Sequence, residues 1–262
     1  MAKLIALLTD FGLSDNYVGI MKAVIASISP DSRIIDITHE VLPQNIEQAA
    51  YLLSSSYSFF PIDTIFICVV DPSVGTTRKP VAVKASGRYF IAPDNGLLSS
   101  LVDQNLIDEA VVLDRTEYRL SDVSNTFHGR DIFAPAGAYL SKGVSFSQLG
   151  TNIEPSTLVK KNLFTNETSK DGSIKGRVVH IDRFGNIVTS FSRKDVNVEK
   201  KWRFIIDEHY IDDVMATFSD VESGQSLAFI GSTGFLEIGV RNSSAAARYK
   251  AKIGMTLQAA FF

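Results

Sequence analysis

Short apolar runs alternate with longer stretches of helical spacing through the first part of the chain. KLIALLTD is the first strand candidate. It is followed by DNYVGIMKAVIASIS, where Val18, Met21, Val24, Ile25 and Ile28 recur every three or four positions, as on one helical face. RIIDITH is the next strand, and NIEQAAYLLSSSYSFF a helix with Ile46, Ala49, Ala50 and Leu53 on one side. TIFICVVD is apolar throughout, which suits a strand covered on both faces. PVAVKASGRYFIAPDNG reads as two strands around a Ser-Gly-Arg turn, LLSSLVDQN as a short helix, EAVVLD as another strand and DIFAPAGAYL as a further helix. The β-α-β-α-β order predicts an α/β domain with a mainly parallel sheet and helices on its faces.

The texture changes near residue 155. EPSTLVKKNLFTNETSKDGS carries polar clusters, a proline and a glycine, and reads as a linker or crossing segment over 156–173. Beyond it come strand-like runs separated by turn residues: IKGRVVHID, NIVTSF, KWRFIID, SLAFIGS, GFLEIGV and KIGMTLQAAFF. Helical periodicity is scarce there, so residues 174–262 are expected to form a smaller all-β, barrel-like domain after an α/β domain over 1–155.

Composition narrows the function classes. The 262 residues are 45% apolar and carry a formal net charge of −3, which argues against a nucleic-acid protein working through a basic face. Cys68 is the only cysteine, so no internal disulfide can form, and its apolar setting makes it a buried small hydrophobe in a chain expected in the reducing cytoplasm. MAKLIALLTDFG lacks a small-residue cleavage pattern and reads as a first strand rather than a signal peptide. No apolar run reaches the roughly 18 residues of a spanning helix, so no membrane partner is expected.

Polar residues gather where the strands end, and in parallel α/β sheets ligands bind beyond the carboxyl ends. The first strand runs into TDFGLSD, with Asp10 and Asp15; the third into DPSVGTTR, with Asp71, Gly75 and Arg78; a later one into APDNG, with Asp94 and Asn95. Each admits a structural explanation: a helix-start acid for Asp15, a turn for Asp94-Asn95, an ion pair that staples its own loop for Asp71 and Arg78. DPSVGTTR lacks the Gly-Lys-Ser/Thr ending of a phosphate loop. His128, in SNTFHGRDIFAP, stands in a polar turn before a helix, whereas His39, His180 and His209 read as structural. No histidine pair or Cys-His cluster has ligand spacing, so no metal is expected, and no Gly-x-Ser-x-Gly elbow is present. In the second domain HIDRFGNIVTSF sets Asp182, Phe184 and Asn186 on a glycine turn; this can be a simple hairpin, while an amide beside a ring can read and stack on a purine. GSTGFLEIGVR adds Ser232, Glu237 and Arg241.

These motifs, in order over nearly the whole chain, closely resemble the S-adenosylmethionine (SAM) hydrolases, also called SAM hydroxide adenosyltransferases, relatives of the fluorinase and chlorinase enzymes. The residues that carry the resemblance are TDFG, D-Y-V-G-x-M-K, DPSVGTTR, APDNG, TFHGRDIFAPA, IDRFGN and GFLEI. The resemblance implies a homotrimer, with sites between the first domain of one subunit and the second domain of the next, and cleavage of SAM to adenosine and methionine. SAM is then the substrate, and no cofactor is implied. Asp71, Arg78 and His128 fall on the family's catalytic set, and Asp10 on its ribose-binding aspartate. Asp182 falls on the residue that meets the methionine amine and Asn186 on the adenine-binding amide, with Phe184 near it. Ser232 matches a position near the methionine carboxylate. Glu237 and Val240 fall near where the adenosine should sit, and Phe127 completes the substrate-binding set. Ser73 stands where the family usually has glycine, which matters if that position needs positive φ.

The implied reaction is chemically coherent. Methionine leaves a sulfonium as a neutral thioether and needs no general acid, whereas water, with a pKa of about 15.7, must be positioned and helped to lose a proton. Arg78 can stabilise developing hydroxide, Asp71 can orient it, His128 can accept or relay the proton, and Asp10 can hold the ribose for in-line attack at its 5′-carbon. The alternatives are a halogenase of the same family, a magnesium phosphohydrolase using Asp10, Asp15 and Asp71, and a non-catalytic adenosine or SAM sensor.

Overall fold

The computed structural model describes residues 3–261. The chain divides into two compact units between Lys161 and Asn162.

The first unit is built on seven strands: β1 (Leu4–Thr9), β2 (Arg33–Thr38), β3 (Ile65–Val69), β4 (Pro80–Ala85), β5 (Arg88–Pro93), β6 (Ile107–Val112) and β7 (Thr151–Ile153). Their order across the sheet is β2-β1-β3-β5-β4-β6-β7. The pairs β1–β2, β1–β3 and β3–β5 are parallel, but β4–β5, β4–β6 and β6–β7 are antiparallel. The expected mainly parallel sheet is therefore a mixed one. The cause lies in the Ser-Gly-Arg turn: Ser86 and Gly87 both take positive φ (48° and 70°), and a two-residue turn of that kind can join only antiparallel neighbours.

The central strands β1 and β3 are buried along almost their whole length. Their side chains alternate between two cores, as the pleat requires. Ile5, Leu7, Ile65 and Ile67 face Met21 and Ile25 of α1 (Tyr17–Ile28) together with α4 (Ala134–Ser141). Ala6, Leu8, Phe66 and Cys68 face Ala49 and Leu53 of α2 (Ile46–Ser56) and Leu101 of α3 (Ser99–Asp103). Each fully buried large side chain contributes roughly 1.5–3 kcal/mol. Burial also pushes the Cys68 thiol well above its ordinary pKa, which leaves it inert. The predicted stripe on α1 is the inward face: Val18, Met21 and Ile25 are buried, Val24 and Ile28 partly so.

The second unit is a nine-stranded sheet in the order β12-β11-β16-β9-β10-β15-β14-β13, with β8 (Glu167–Thr168) added beside β9. The strands are β9 (Ile174–Ile181), β10 (Ile187–Ser192), β11 (Trp202–Ile206), β12 (His209–Asp212), β13 (Val214–Met215), β14 (Ser226–Ile230), β15 (Phe235–Val240) and β16 (Thr256–Phe261). A short helix, α5 (Ala245–Arg248), precedes β16. The two edge strands, β12 and β13, are separated in sequence by Asp213 alone, so the ribbon nearly closes into a barrel. Val178, Ile187, Phe191, Phe204, Leu236 and Ile238 fill it.

The 156–173 segment is tied down on both sides of the boundary. Leu158 is buried in the first unit, Val159 N donates to Asp94 Oδ1 (2.8 Å) and Lys161 N to Ser99 Oγ (2.9 Å). Asn166 Nδ2 donates to Ser190 O (3.1 Å) in the second unit, where β8 pairs with β9.

Candidate active site

In the first unit a cavity of about 370 Å³ opens beyond the carboxyl ends of β1 and β3. Asp10 and Phe11 enter it directly after β1; Asp71, Pro72 and Val74 enter directly after β3; Thr126, Phe127, His128 and Gly129 arrive just before α4. Tyr17 at the start of α1 and Pro43-Gln44 in the loop after β2 complete the lining.

Arg78 lies behind this wall and ties its two chemical groups together. Its Nε donates to Asp71 Oδ1 (3.2 Å) and its Nη2 to Asp71 Oδ2, a two-point grip that the planar guanidinium fork permits. The same Nη2 lies 3.1 Å from His128 Nδ1. The Arg78 and Asp71 side chains are each only 5% exposed, and the Phe133 ring sits 5.4 Å from the guanidinium carbon. Arg78 Nη1 is buried with no hydrogen-bond partner among the described residues. An orphaned buried donor costs free energy, so it marks a place for an acceptor.

This geometry fixes a proton. Arginine has no acceptor, so His128 Nδ1 must accept from it and the neutral ring carries its hydrogen on Nε2. Burial lowers the His128 pKa first, the Arg78 charge lowers it further, and Asp71 only partly opposes them, so the ring stays neutral at pH 7.

The loop from Asp71 to Arg78 is held by its own bonds. Thr76 N and Oγ1 both donate to Ser73 O (3.2 and 2.8 Å), and Arg78 N donates to Thr76 Oγ1 (3.3 Å). Gly75 has φ +78°, and a Cβ there would run into the Asn125 carbonyl oxygen, so glycine is required where this loop crosses the strand of chain leading to His128. Ser73 is not among the residues with positive φ, so serine fits without backbone strain.

His128 is followed by a π-helical turn, Gly129–Phe133, before α4. Wide turns of this type recur at functional sites because they re-aim side chains. Asp131 is fully buried and accepts from Ser124 N and Oγ (both 2.8 Å) and from Arg130 Nε (2.5 Å), which anchors the approach to His128. The Asp131 carboxyl is held below its ordinary pKa: burial opposes this, and the Arg130 and Ser124 bonds outweigh it.

Asp10 accepts from Gln44 N (2.7 Å), and burial raises its pKa above the usual carboxylate value. Phe11, Tyr17 and Phe127 form an aromatic corner with centroids 5.1–5.8 Å apart. Phe11, Tyr17, Gln44 and Thr126 line the cavity without having been singled out from sequence; Phe11 and Tyr17 sit inside the quoted TDFG and D-Y-V-G motifs, which was the available signal. Asp15, Asp94 and Asn95 do not line it. Asn95 is a staple, donating from Nδ2 to Val70 O (2.9 Å) and accepting from Leu97 N (3.2 Å).

The second unit gathers part of its predicted set around a separate cavity of about 400 Å³, lined by Phe184, Asn186, Phe218, Val240, Asn242 and Ser243. Asp182 folds the turn that presents two of these. Its Oδ1 accepts from Phe184 N (2.9 Å) and Asn186 N (2.8 Å), and its Oδ2 from Asn186 Nδ2 (2.8 Å). Gly185 takes φ +85°, and a side chain there would collide with Ser244. Phe184 is left 80% exposed. Glu237, half-buried outside the lining, is pushed up to about 7, by burial first and by the Asp182 charge second. Ser232 lies on the exposed turn between β14 and β15, away from the lining, and Arg241 Nη1 is spent on Val221 O (2.6 Å).

Among the described residues no group of three or more His, Cys, Asp or Glu is placed to hold a metal ion, and no helix is long and apolar enough to cross a membrane.

Comparison with known proteins identifies the family. Residues 5–150 match the model of the SAM hydroxide adenosyltransferase N-terminal domain and residues 176–258 that of its C-terminal domain. A Thermus thermophilus protein named (R)-S-adenosyl-L-methionine hydrolase is 36% identical, the alignment covering 96% of this chain and 97% of the relative. A fluorinase from Actinopolyspora mzabensis is 28% identical over 97% and 96% of the two chains. The crystal structure of an uncharacterized conserved protein from Thermotoga maritima superposes with a TM-score of 0.88 at 35% identity, covering 97% of this chain and 99% of that one. Two domain models matched in order, spanning most of the sequence, show that the chain belongs to the SAM hydroxide adenosyltransferase family.

Proposed function

We infer that the protein is an enzyme that hydrolyses S-adenosyl-L-methionine to adenosine and L-methionine, by in-line attack of a water-derived hydroxide on the ribose 5′-carbon. The observation that carries this reading is Arg78, which grips Asp71 and His128 at the wall of the cavity and keeps one buried donor, Nη1, unpartnered among the described residues.

The chemistry follows from the leaving group. A neutral thioether departs from a sulfonium without protonation, so catalysis reduces to supplying the nucleophile and holding the ribose in line. Arg78 Nη1 and the His128 Nε2 hydrogen are both donors, and donors stabilise negative charge as it gathers on the attacking oxygen. Asp71 holds the Arg78 fork in its plane. Asp10 accepts ribose hydroxyls, and Phe11, Tyr17 and Phe127 give the nucleoside an apolar wall. In the second unit Asn186 and Phe184 take the adenine, Val240 and Glu237 flank the adenosine, and Asp182 and Ser232 meet the amine and carboxylate of methionine. No cofactor takes part in this scheme.

The family resemblance supports a homotrimer in which the cavity of one subunit is completed by the second unit of a neighbouring copy. Incubation with SAM in ¹⁸O-labelled water tests the main reading: label in the adenosine 5′-oxygen is expected. The relatives' name specifies the (R) sulfonium, so both sulfonium epimers are assayed. In the presence of chloride, 5′-chloro-5′-deoxyadenosine as main product would overturn hydrolysis in favour of halogenation.

A further inference from the structure

We propose that His39 is a positioning residue for Asp10, acting as the buried middle member of a chain, Asp36–His39–Thr9, that fixes the cavity edge from behind. The proposal rests on the reading of Asp10 as the ribose-binding carboxylate. His39 is 3% exposed and Thr9 fully buried, and neither lines the cavity. His39 Nδ1 lies 2.8 Å from Thr9 Oγ1, and its Nε2 lies 3.1 Å from Asp36 Oδ1, in ion-pair range though off the line of an ideal hydrogen bond. Asp36 continues outward to Lys22 Nζ at 2.6 Å.

The direction of this chain is set by its hydrogens. Thr9 Oγ1 accepts from Phe11 N (3.3 Å), so its own hydrogen is free to go to His39 Nδ1. His39 is then protonated at Nε2, on the Asp36 side. In that arrangement one hydroxyl orients both the backbone of Phe11 and the imidazole. Protonating His39 at Nδ1 instead would turn the Thr9 hydrogen away from its partner and leave it buried.

What this chain supports is the seam that carries Asp10. Gly12 N donates to His39 O (2.7 Å), Val41 N to Thr9 O (3.4 Å) and Gln44 N to Asp10 Oδ2 (2.7 Å). Three bonds thus lace residues 9–12 to residues 39–44; His39 and Thr9 supply the acceptor carbonyls of the first two, so the His39 ring is tied to the same seam through Thr9. Its rotation would shift Asp10 and Gln44 together. Binding of hydroxyls by a carboxylate demands that the carboxylate be held before the ligand arrives.

The test compares SAM with its 2′-deoxyribose analogue on the full-length protein, because a purely structural role does not change the ratio of kcat/KM between the two. Asp36→Asn, at a partly exposed position, and His39→Phe are each expected to lower the ribo-to-deoxy ratio about 10-fold, a size typical of coupled neighbours, through a higher KM for SAM. His39→Asn, which keeps a polar atom facing Thr9, is expected to restore most of the ratio. In an Asp10→Ala background Asp36→Asn is expected to have no further effect on it. An unchanged ratio in both Asp36→Asn and His39→Phe, with a lowered ratio in Asp10→Ala, would overturn the positioning role alone. An unchanged ratio in Asp10→Ala would overturn the ribose reading and the proposal with it.

Discussion

Replacing Arg78 by lysine separates a catalytic role from a structural one. Lysine keeps the positive charge beside Asp71 but offers a single ammonium where arginine makes two bonds to the carboxylate, one to His128 and still presents Nη1. Losing one preorganised donor to a developing oxyanion costs about 10²–10³ in kcat, or roughly 2.7–4 kcal/mol. The expected result for Arg78→Lys is therefore a fall of that size in kcat, with KM changed only a few-fold and adenosine affinity by calorimetry close to wild type. Arg78→Ala tests the stability side. It leaves the Asp71 side chain, 5% exposed, as an uncompensated buried carboxylate, a change that costs about 3–5 kcal/mol and is visible as a large drop in melting temperature. Chromatographic measurement of adenosine release gives the rate. Wild-type turnover by Arg78→Lys would refute the argument, because it would leave Arg78 as a staple for its loop and nothing more.

Three further outcomes are expected. The His128 pKa is depressed by burial and by Arg78, so the native state binds fewer protons than the unfolded one just below pH 6.5; stability is expected to hold above pH 6.5 and decline as pH falls below it, while kcat/KM holds further down and falls only through the lowered His128 pKa, and His128→Gln should flatten the rate profile at a much reduced rate. Glu237 has its pKa raised to about 7, so its stabilising neutral form is fully present below about pH 4.5 and lost as pH rises through 7; discounted for its exposed part, Glu237→Gln should gain about 1–2 kcal/mol over wild type between pH 5 and pH 8 in urea titrations. If sites form between copies, co-refolding inactive His128→Ala with inactive Asn186→Ala should restore about a quarter of wild-type activity, since every mixed trimer then holds one intact site; no recovery would count against shared sites.

The parts legible from sequence were those in which local chemistry and tertiary position agree. Apolar runs ending in TDFG and DPSVG marked strand ends, and a parallel strand end is where a ligand sits, so the cavity falls where the polar residues pointed. The antiparallel half of the first sheet was written in Ser86-Gly87, but the β-α-β order carried more weight than that turn. Asp71 and Arg78 are seven residues apart and pair within one loop, whereas His128 reaches Arg78 across fifty residues, a contact that only folding, or a family resemblance, could supply. Phe11 and Tyr17 were missed because an aromatic near a strand end or a helix start has the pattern of core. Asp131 shows the converse: a conspicuous charge next to His128 whose oxygens serve Ser124 and Arg130.

The fold also changes how the reaction is understood. Residue types alone allowed His128 to be the base, but Arg78 occupies the Nδ1 side of the ring, and burial with the Arg78 charge keeps the ring neutral with its hydrogen on Nε2. Asp71 is likewise paired, each of its oxygens accepting one bond from Arg78. Arg78 Nη1 and the His128 Nε2 hydrogen are therefore the donors this corner offers, beside the Asp71 carboxylate on the cavity lining, and donors of that kind favour an anion over neutral water. On this reading the proton passes to solvent water as hydroxide forms in the field of Arg78, before or during attack, instead of to a dedicated side-chain base. On this view hydroxide and halide are rival anions for one donor-lined position, and a single family can contain both hydrolases and fluorinases. Chloride should then inhibit hydrolysis competitively with hydroxide, so that its apparent inhibition constant rises with pH; a constant that does not move with pH would return the proton to a protein base.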